Sequence, residues 1–279
     1  MQNAGAAHFS DIVVAVQPQG EGVPLFLVAP GTEALGLARM LGRERPVYGI
    51  RVPNLEHSPH LASIHDMAEV CSRAIRKARP EGPYAVAGWC AAAVLALEIA
   101  QHLERCGEQI AFVAMLDART VFLPPMSRLK RLVVRAWHQC QRLRFFLGRV
   151  VAEGPPRLWS AGRGRLIHAR ETRGRAIRGL PRSHADALAA LVATHRPSQW
   201  DGAMVHIWAS ERPRGRFRGP EFVCTHLSPG GFSFYEVPGD HLSMFSEPNL
   251  EVLAHIFATE LDRAGVARHR VAEPRAIGL

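Results

Sequence analysis

The stretch from Pro83 to Glu98, PYAVAGWCAAAVLALE, limits the possible folds more than any other part of the chain. A run of small and apolar residues ends at Gly88, a single tryptophan intervenes, Cys90 follows, and an alanine- and leucine-rich run suited to a helix begins. The segment is too short to span a bilayer, and Gly88, Trp89 and Cys90 interrupt it before Glu98 closes it. It reads as a buried strand turning sharply into a buried helix. Continuously apolar strands belong to parallel sheets with both faces covered.

The rest of the chain repeats that pattern. Ile12–Val16, Leu25–Val28, Val47–Val52, Tyr84–Ala87, Ile110–Leu116, Met204–Trp208 and Phe232–Val237 read as strands. Leu35–Leu41, Ile64–Ala78, Ala92–Leu103, Ala185–Ala193 and Leu250–Leu261 have helical spacing, with Ser63 and Asp66 three residues apart as an N-terminal cap. Pro80 and Gly82 end one helix and introduce the next strand. Alternating β and α elements imply an open, mostly parallel sheet covered on both faces. At 279 residues and 47% hydrophobic, the chain can bury a large core.

The alternation breaks after Leu116. From Leu129 to Val151 apolar positions recur at helical spacing opposite an arginine-rich face. Between Ser127 and Arg182 fifteen Lys or Arg stand against two acids, Glu153 and Glu171, so the whole basic excess of the chain (net +9) sits in this segment and the remainder is mildly acidic. The expected division is a core from 1 to 120, a basic helical insertion from 121 to 182, a second core part from 183 to 266, and a flexible tail from 267 to 279.

The chemistry centres on Cys90. A strand–turn–helix with small neighbours is the setting of the nucleophile elbow, here Gly88-Trp89-Cys90-Ala91-Ala92 with Cys as nucleophile and Ala92 in place of the second glycine. Such a turn strains the backbone, so strand and helix must approach closely, which Gly88, Ala91, Ala92 and Ala93 permit. A helix N-terminus also lowers a thiol's pKa. The N–H of Ala91 would be one oxyanion donor. The second is expected from Ala29-Pro30-Gly31-Thr32, through the N–H of Gly31 or Thr32.

In elbow enzymes the order is nucleophile, acid, histidine. His241 lies in Val237-Pro-Gly-Asp-His241, just after the last strand, and is the expected base. Two acids compete to orient it. Asp117 closes the strand Ile110–Leu116, and Glu211 follows the strand Met204–Trp208. Asp117 is favoured, because a carboxylate at the end of an apolar strand costs free energy unless a partner uses it.

With Pro-Val-Tyr-Gly-Ile at 46–50, Glu81-Gly-Pro-Tyr84, the elbow, Met115-Leu-Asp117 and Gly239-Asp-His241, the chain from about Pro24 to Leu261 resembles the thioesterase domains of nonribosomal peptide and polyketide synthases. The resemblance implies an α/β-hydrolase fold, mostly parallel with helices on both faces, and makes residues 121–182 a helical lid over the acyl site. It supports Asp117 as the acid, and implies substrates carried as thioesters on the phosphopantetheine arm of an acyl or peptidyl carrier protein, with no cofactor bound by the chain itself. The family's serine is Cys90 here. A cysteine nucleophile makes another thioester, so the acyl group stays activated and can pass to a second thiol or an amine, as in the similar cysteine-dependent aminoacyl shuttle transferases. Lid arginines such as Arg131, Arg135, Arg142 and Arg149 would meet an acidic carrier.

Other readings are narrower. Cys71, Cys90, Cys106, Cys140 and Cys224 contain no CxxC pair, so neither a disulfide framework nor a metal site is expected. The first ten residues have no basic start and no apolar core, and a soluble cytoplasmic protein is expected. A catalytically inactive hydrolase-fold protein using its basic segment to bind nucleic acid or a protein partner is the alternative. Against nucleic acid stand the confinement of the charge and the scarcity of aromatics among it.

Overall fold

Seven strands form one sheet in the order β1-β3-β2-β4-β5-β6-β7. They are β1 (Val13–Gln17), β2 (Leu25–Val28), β3 (Val47–Ile50), β4 (Tyr84–Trp89), β5 (Ile110–Leu116), β6 (Met204–Ala209) and β7 (Phe232–Val237). Only β1 runs antiparallel to its neighbour, β3. The computed structural model describes residues 12–31, 33–53, 61–118, 127–153, 184–212 and 224–272. Six helices are described: α1 (Glu33–Leu41), α2 (Ile64–Ala78), α3 (Ala92–Arg105), α4 (Arg128–Glu153), α5 (His184–Thr194) and α6 (Asn249–Ala272), with a short 3-10 turn at Ser243–Phe245.

The sheet separates two apolar cores, and period-2 alternation divides each strand between them. Val86 of β4 with Val113 and Met115 of β5 join one core with α2, α3 and α5. Ala85 and Ala87 with Phe112, Ala114 and Leu116 join the other with α1 and α6. Both faces of β4 and β5 are therefore dry, as their unbroken apolar sequence requires. Ser63 caps α2 as expected, its hydroxyl accepting from the Asp66 N–H while the Asp66 carboxylate accepts from the Ser63 N–H.

Three boundaries differ from the sequence reading. β4 runs on to Trp89 because Trp89 pairs with Leu116 and the Cys90 N–H then donates to the Leu116 carbonyl at 2.9 Å. β3 stops at Ile50, where β1 and β2 both stop pairing with it. α6 continues to Ala272, past the start of the expected tail at 267, through Ala- and Arg-rich sequence of good helix propensity.

The inserted segment is helical over Arg128–Glu153, but its apolar side is largely unpacked. Leu129, Leu132, Val133, Trp137, Leu143, Leu147 and Val151 are exposed, whereas Val134 is buried. Arg142 is half-buried rather than fully outward; the side chains of Arg131, Arg135 and Arg149 lie outside the described residues, as do residues 154–183. Among the described residues no helix is long and apolar enough to cross a membrane.

Candidate active site

The carboxyl ends of β2, β4 and β5, adjacent in the sheet, each deliver one residue into the left-handed region: Ala29 at φ +53°, Cys90 at +55° and Asp117 at +46°. None is glycine, and such conformations cost of order 1–3 kcal/mol each. Three together on neighbouring strand ends mark this edge as the functional one, which is also where ligands bind in open α/β sheets.

At the elbow the close approach is extreme. A Cβ placed on Gly88 would lie 2.3 Å from the Ala92 carbonyl oxygen. Ala92 and Ala93 are buried against the strand, while Cys90 is exposed above it. The Cys90 thiol is in hydrogen-bond contact with His241 and receives the Ala91 N–H. The hydrogen bond from His241 is the main cause that holds the Cys90 pKa below the usual thiol value; burial opposes it, and the charge of His241 and the Ala91 N–H assist.

His241 is held on its other side by Asp117. Its Nδ1–H donates to Asp117 Oδ2 at 2.6 Å, which leaves Nε2 for the thiol. Burial works to lower the His241 pKa, but the hydrogen bonds to Asp117 and Cys90 and the charges of both raise it to about 9. The two shifts agree in favouring a thiolate–imidazolium pair. Asp117 is buried, and its Oδ1 accepts from the Ala209 N–H at 3.3 Å. Glu211, the rival acid, is exposed at the end of β6, where its N–H donates to the Gly239 carbonyl.

The loop that carries His241 is itself built tightly. Asp240 Oδ1 accepts from the N–H groups of Leu242 and Ser243 and from the Ser243 hydroxyl, and the Asp240 N–H donates to Ser243 Oγ at 2.7 Å. Gly239 sits at φ +91°, and a Cβ there would lie 2.5 Å from Ser243 Oγ and from Asn249 Nδ2. Asp240 and Ser243 were not singled out in the sequence. The Asp-x-x-Ser spacing after Pro-Gly is the signal that could have found them.

Trp89 has a place in the site that its position in the sequence does not signal. Its indole lies against the His241 imidazole at a centroid separation of 4.5 Å and meets Phe245 edge-on at 5.2 Å. With Leu27, Ala29, Pro30, Leu37 and Phe245 it lines an apolar recess beneath the elbow. Gly31 stands at the rim, exposed, with its carbonyl receiving the Ala34 N–H, and Thr32 lies outside the described residues. Among the other thiols, Cys71 and Cys224 are buried and pushed up to about 12 by desolvation.

The sheet order and the elbow between β4 and α3 define an α/β-hydrolase fold. The NocB thioesterase domain from the nocardicin cluster has the same fold, with a TM-score of 0.59 at 22% identity over 90% of this chain and 99% of that one. The surfactin-cyclising thioesterase domain SrfTE matches at 0.57 and 17% identity, over 92% of this chain and 99% of that one. The thioesterase domain family model matches residues 36–125, which include the elbow and Asp117. The chain is 35% identical over 122 residues to atromentin synthetase of Tapinella panuoides, and 38% identical over 119 residues to the nonribosomal peptide synthetase btyA of Aspergillus terreus. Those matches take in 42% and 40% of this chain but only 13% and 12% of the relatives, which are far longer.

Proposed function

We propose that this chain processes acyl thioesters in natural-product biosynthesis, taking an acyl or aminoacyl group from the phosphopantetheine arm of a carrier protein onto Cys90 and passing it to a second acceptor or to water. The observation that carries the reading is the relay from Asp117 through His241 to Cys90, at the end of which a thiol is held toward its nucleophilic form. The Cys90 thiolate attacks the thioester carbonyl carbon. The oxyanion forms near the Ala91 N–H, with a second donor from Gly31 or Thr32, and collapses by breaking the bond to the pantetheine sulfur, which takes its proton from His241 Nε2. The acceptor then gives a proton to His241, attacks the acyl-cysteine carbonyl, and Cys90 leaves as thiolate.

Sulfur rather than oxygen at position 90 favours transfer over hydrolysis. The acyl-cysteine retains the activation of a thioester, and an attacking thiol or amine outcompetes water on such an intermediate. The exposed basic helix α4 supports a carrier protein, acidic on its docking side, as the donor. A formed relay with an exposed nucleophile argues against an inactive binding protein.

The test is partition of product. Acyl-pantetheine is supplied with water alone, with a carrier thiol, or with an amine, and each acceptor is weighed by mass spectrometry. Transfer to thiol or amine faster than hydrolysis, lost in Cys90→Ala, is expected. Hydrolysis alone would overturn the preference for transfer and leave water as the acceptor, and turnover unchanged in Cys90→Ala would contradict the reading itself.

A further inference from the structure

About two turns along α3 from the elbow, one carboxylate is enclosed in a way the relay does not explain. Glu98 is completely buried. His195, which follows the last turn of α5, places Nε2 2.7 Å from Glu98 Oε1. His65, in the first turn of α2, places Nδ1 3.0 Å from Glu98 Oε2. That second approach lies outside hydrogen-bond geometry, so Oε2 is buried with no donor. The two imidazoles meet edge to face at 5.0 Å, and one ligand atom from each of the three residues lies within 4.8 Å of the others.

We infer that His65, Glu98 and His195 form a binding site for a divalent transition metal, most suitably Zn²⁺. Two imidazole nitrogens and one carboxylate are a zinc donor set, with nitrogen and oxygen each about 2.0–2.2 Å from the ion and a fourth position left for water. The orphaned Oε2 and the Nδ1 that faces it without bonding it are the lone pairs such an ion uses; leaving a buried carboxylate oxygen unpaired costs free energy that a cation removes. His65 is the accessible member, with its side chain 59% exposed, and gives the ion a way in from solvent. The three ligands come from α2, α3 and the end of α5, so the ion fastens α5 to α2 and α3. Its role is to hold these three helices together, outside the acyl chemistry itself.

Cys90 and His241 could also bind a soft metal, and the experiment separates the two. The protein is stripped with a chelator, Cys90 is blocked with iodoacetamide, and Co²⁺ and then Zn²⁺ are titrated. One equivalent of Co²⁺ is expected, with the visible d–d bands of a four-coordinate nitrogen and oxygen site and no sulfur-to-cobalt charge transfer. Zn²⁺ displaces it and raises the Tm. His65→Ala, at an exposed position that folding tolerates, and Glu98→Gln should each weaken binding by more than the ~10–100-fold typical of losing an outer partner of a metal ligand. Absence of stoichiometric binding to the blocked protein overturns the site. So does undiminished affinity in His65→Ala, whether or not Glu98→Gln folds. Neither readout depends on acyl transfer.

Discussion

His241 and Asp117 meet across 124 residues of sequence, with Nδ1 2.6 Å from Oδ2. The Asp117 side chain is fully buried while the imidazole remains 36% exposed, so the carboxylate has lost its water and the imidazole edge has not. The pair therefore fixes the ring with one nitrogen inward and the other toward Cys90.

Asp117→Asn keeps the shape but removes the charge that holds the imidazolium. Acyl transfer should fall on the order of 10²–10⁴-fold, the range of a general base put out of action. Glu211→Gln should stay close to the parent enzyme. Steady-state kcat/KM on one acyl thioester decides between them, and the reverse ranking would move the orienting acid to the end of β6.

The thiol should titrate early. Because the Cys90 pKa is held below 9.0, chiefly by His241, its alkylation by iodoacetamide should rise at lower pH than that of an ordinary thiol. Cys71 and Cys224, pushed up to about 12, should stay unmodified in the folded protein. Acyl transfer should decline above about pH 9, where His241 loses the proton that the leaving sulfur needs. Peptide-resolved alkylation rates against pH read the first limb, and acyl-transfer rates against pH read the second. His241→Ala should return the Cys90 profile toward 9.0, and an unchanged profile in that variant would show that the imidazole does not set it.

Much of this site could be read in the sequence, for a physical reason. The elbow needs small residues on both sides of the nucleophile, and Gly88, Ala91, Ala92 and Ala93 stand together in the chain. Asp117 was legible because a carboxylate ending an apolar strand demands a partner. The stacking of Trp89 on His241 was not, since it depends on how the loop after β7 folds back over β4. The site around Glu98 was equally hidden: Glu98 reads as the end of an apolar run, and its two histidines come from α2 and the end of α5. Helical periodicity correctly marked α4, but periodicity says only where apolar side chains point, and here several of them point into solvent.

The strained strand ends make a stability prediction. Gly88→Ala forces a methyl to 2.3 Å from the Ala92 carbonyl, and should cost about 1–3 kcal/mol or more. Ala29→Gly removes about 1–2 kcal/mol of left-handed strain, against roughly 0.5–1 kcal/mol of added freedom in the unfolded chain. It should be slightly stabilising. Urea midpoints at constant m-value test both, and a clear loss of stability in Ala29→Gly would show that the alanine methyl has a packing role.

If the basic segment guides a carrier protein, added salt should slow transfer from a carrier-bound acyl group and leave a small soluble thioester untouched, because screening acts on the encounter of charged surfaces. Reversing charge at Arg131, Arg135, Arg142 and Arg149 should weaken the carrier reaction selectively. Equal responses of the two substrates to salt and to these changes would reduce the segment to a solvated cover.

The most direct measurement is the mass of the intact protein after mixing with an acyl-carrier thioester and rapid acid quench. The account predicts a single acyl adduct, mapped to Cys90, absent in Cys90→Ala, and released by a thiol or an amine faster than by water. In Cys90→Ser the adduct becomes an oxoester, and release should shift to slow hydrolysis. An adduct that persists in Cys90→Ala, or that maps to Cys106 or Cys140, would contradict the assignment of Cys90 as the acyl carrier.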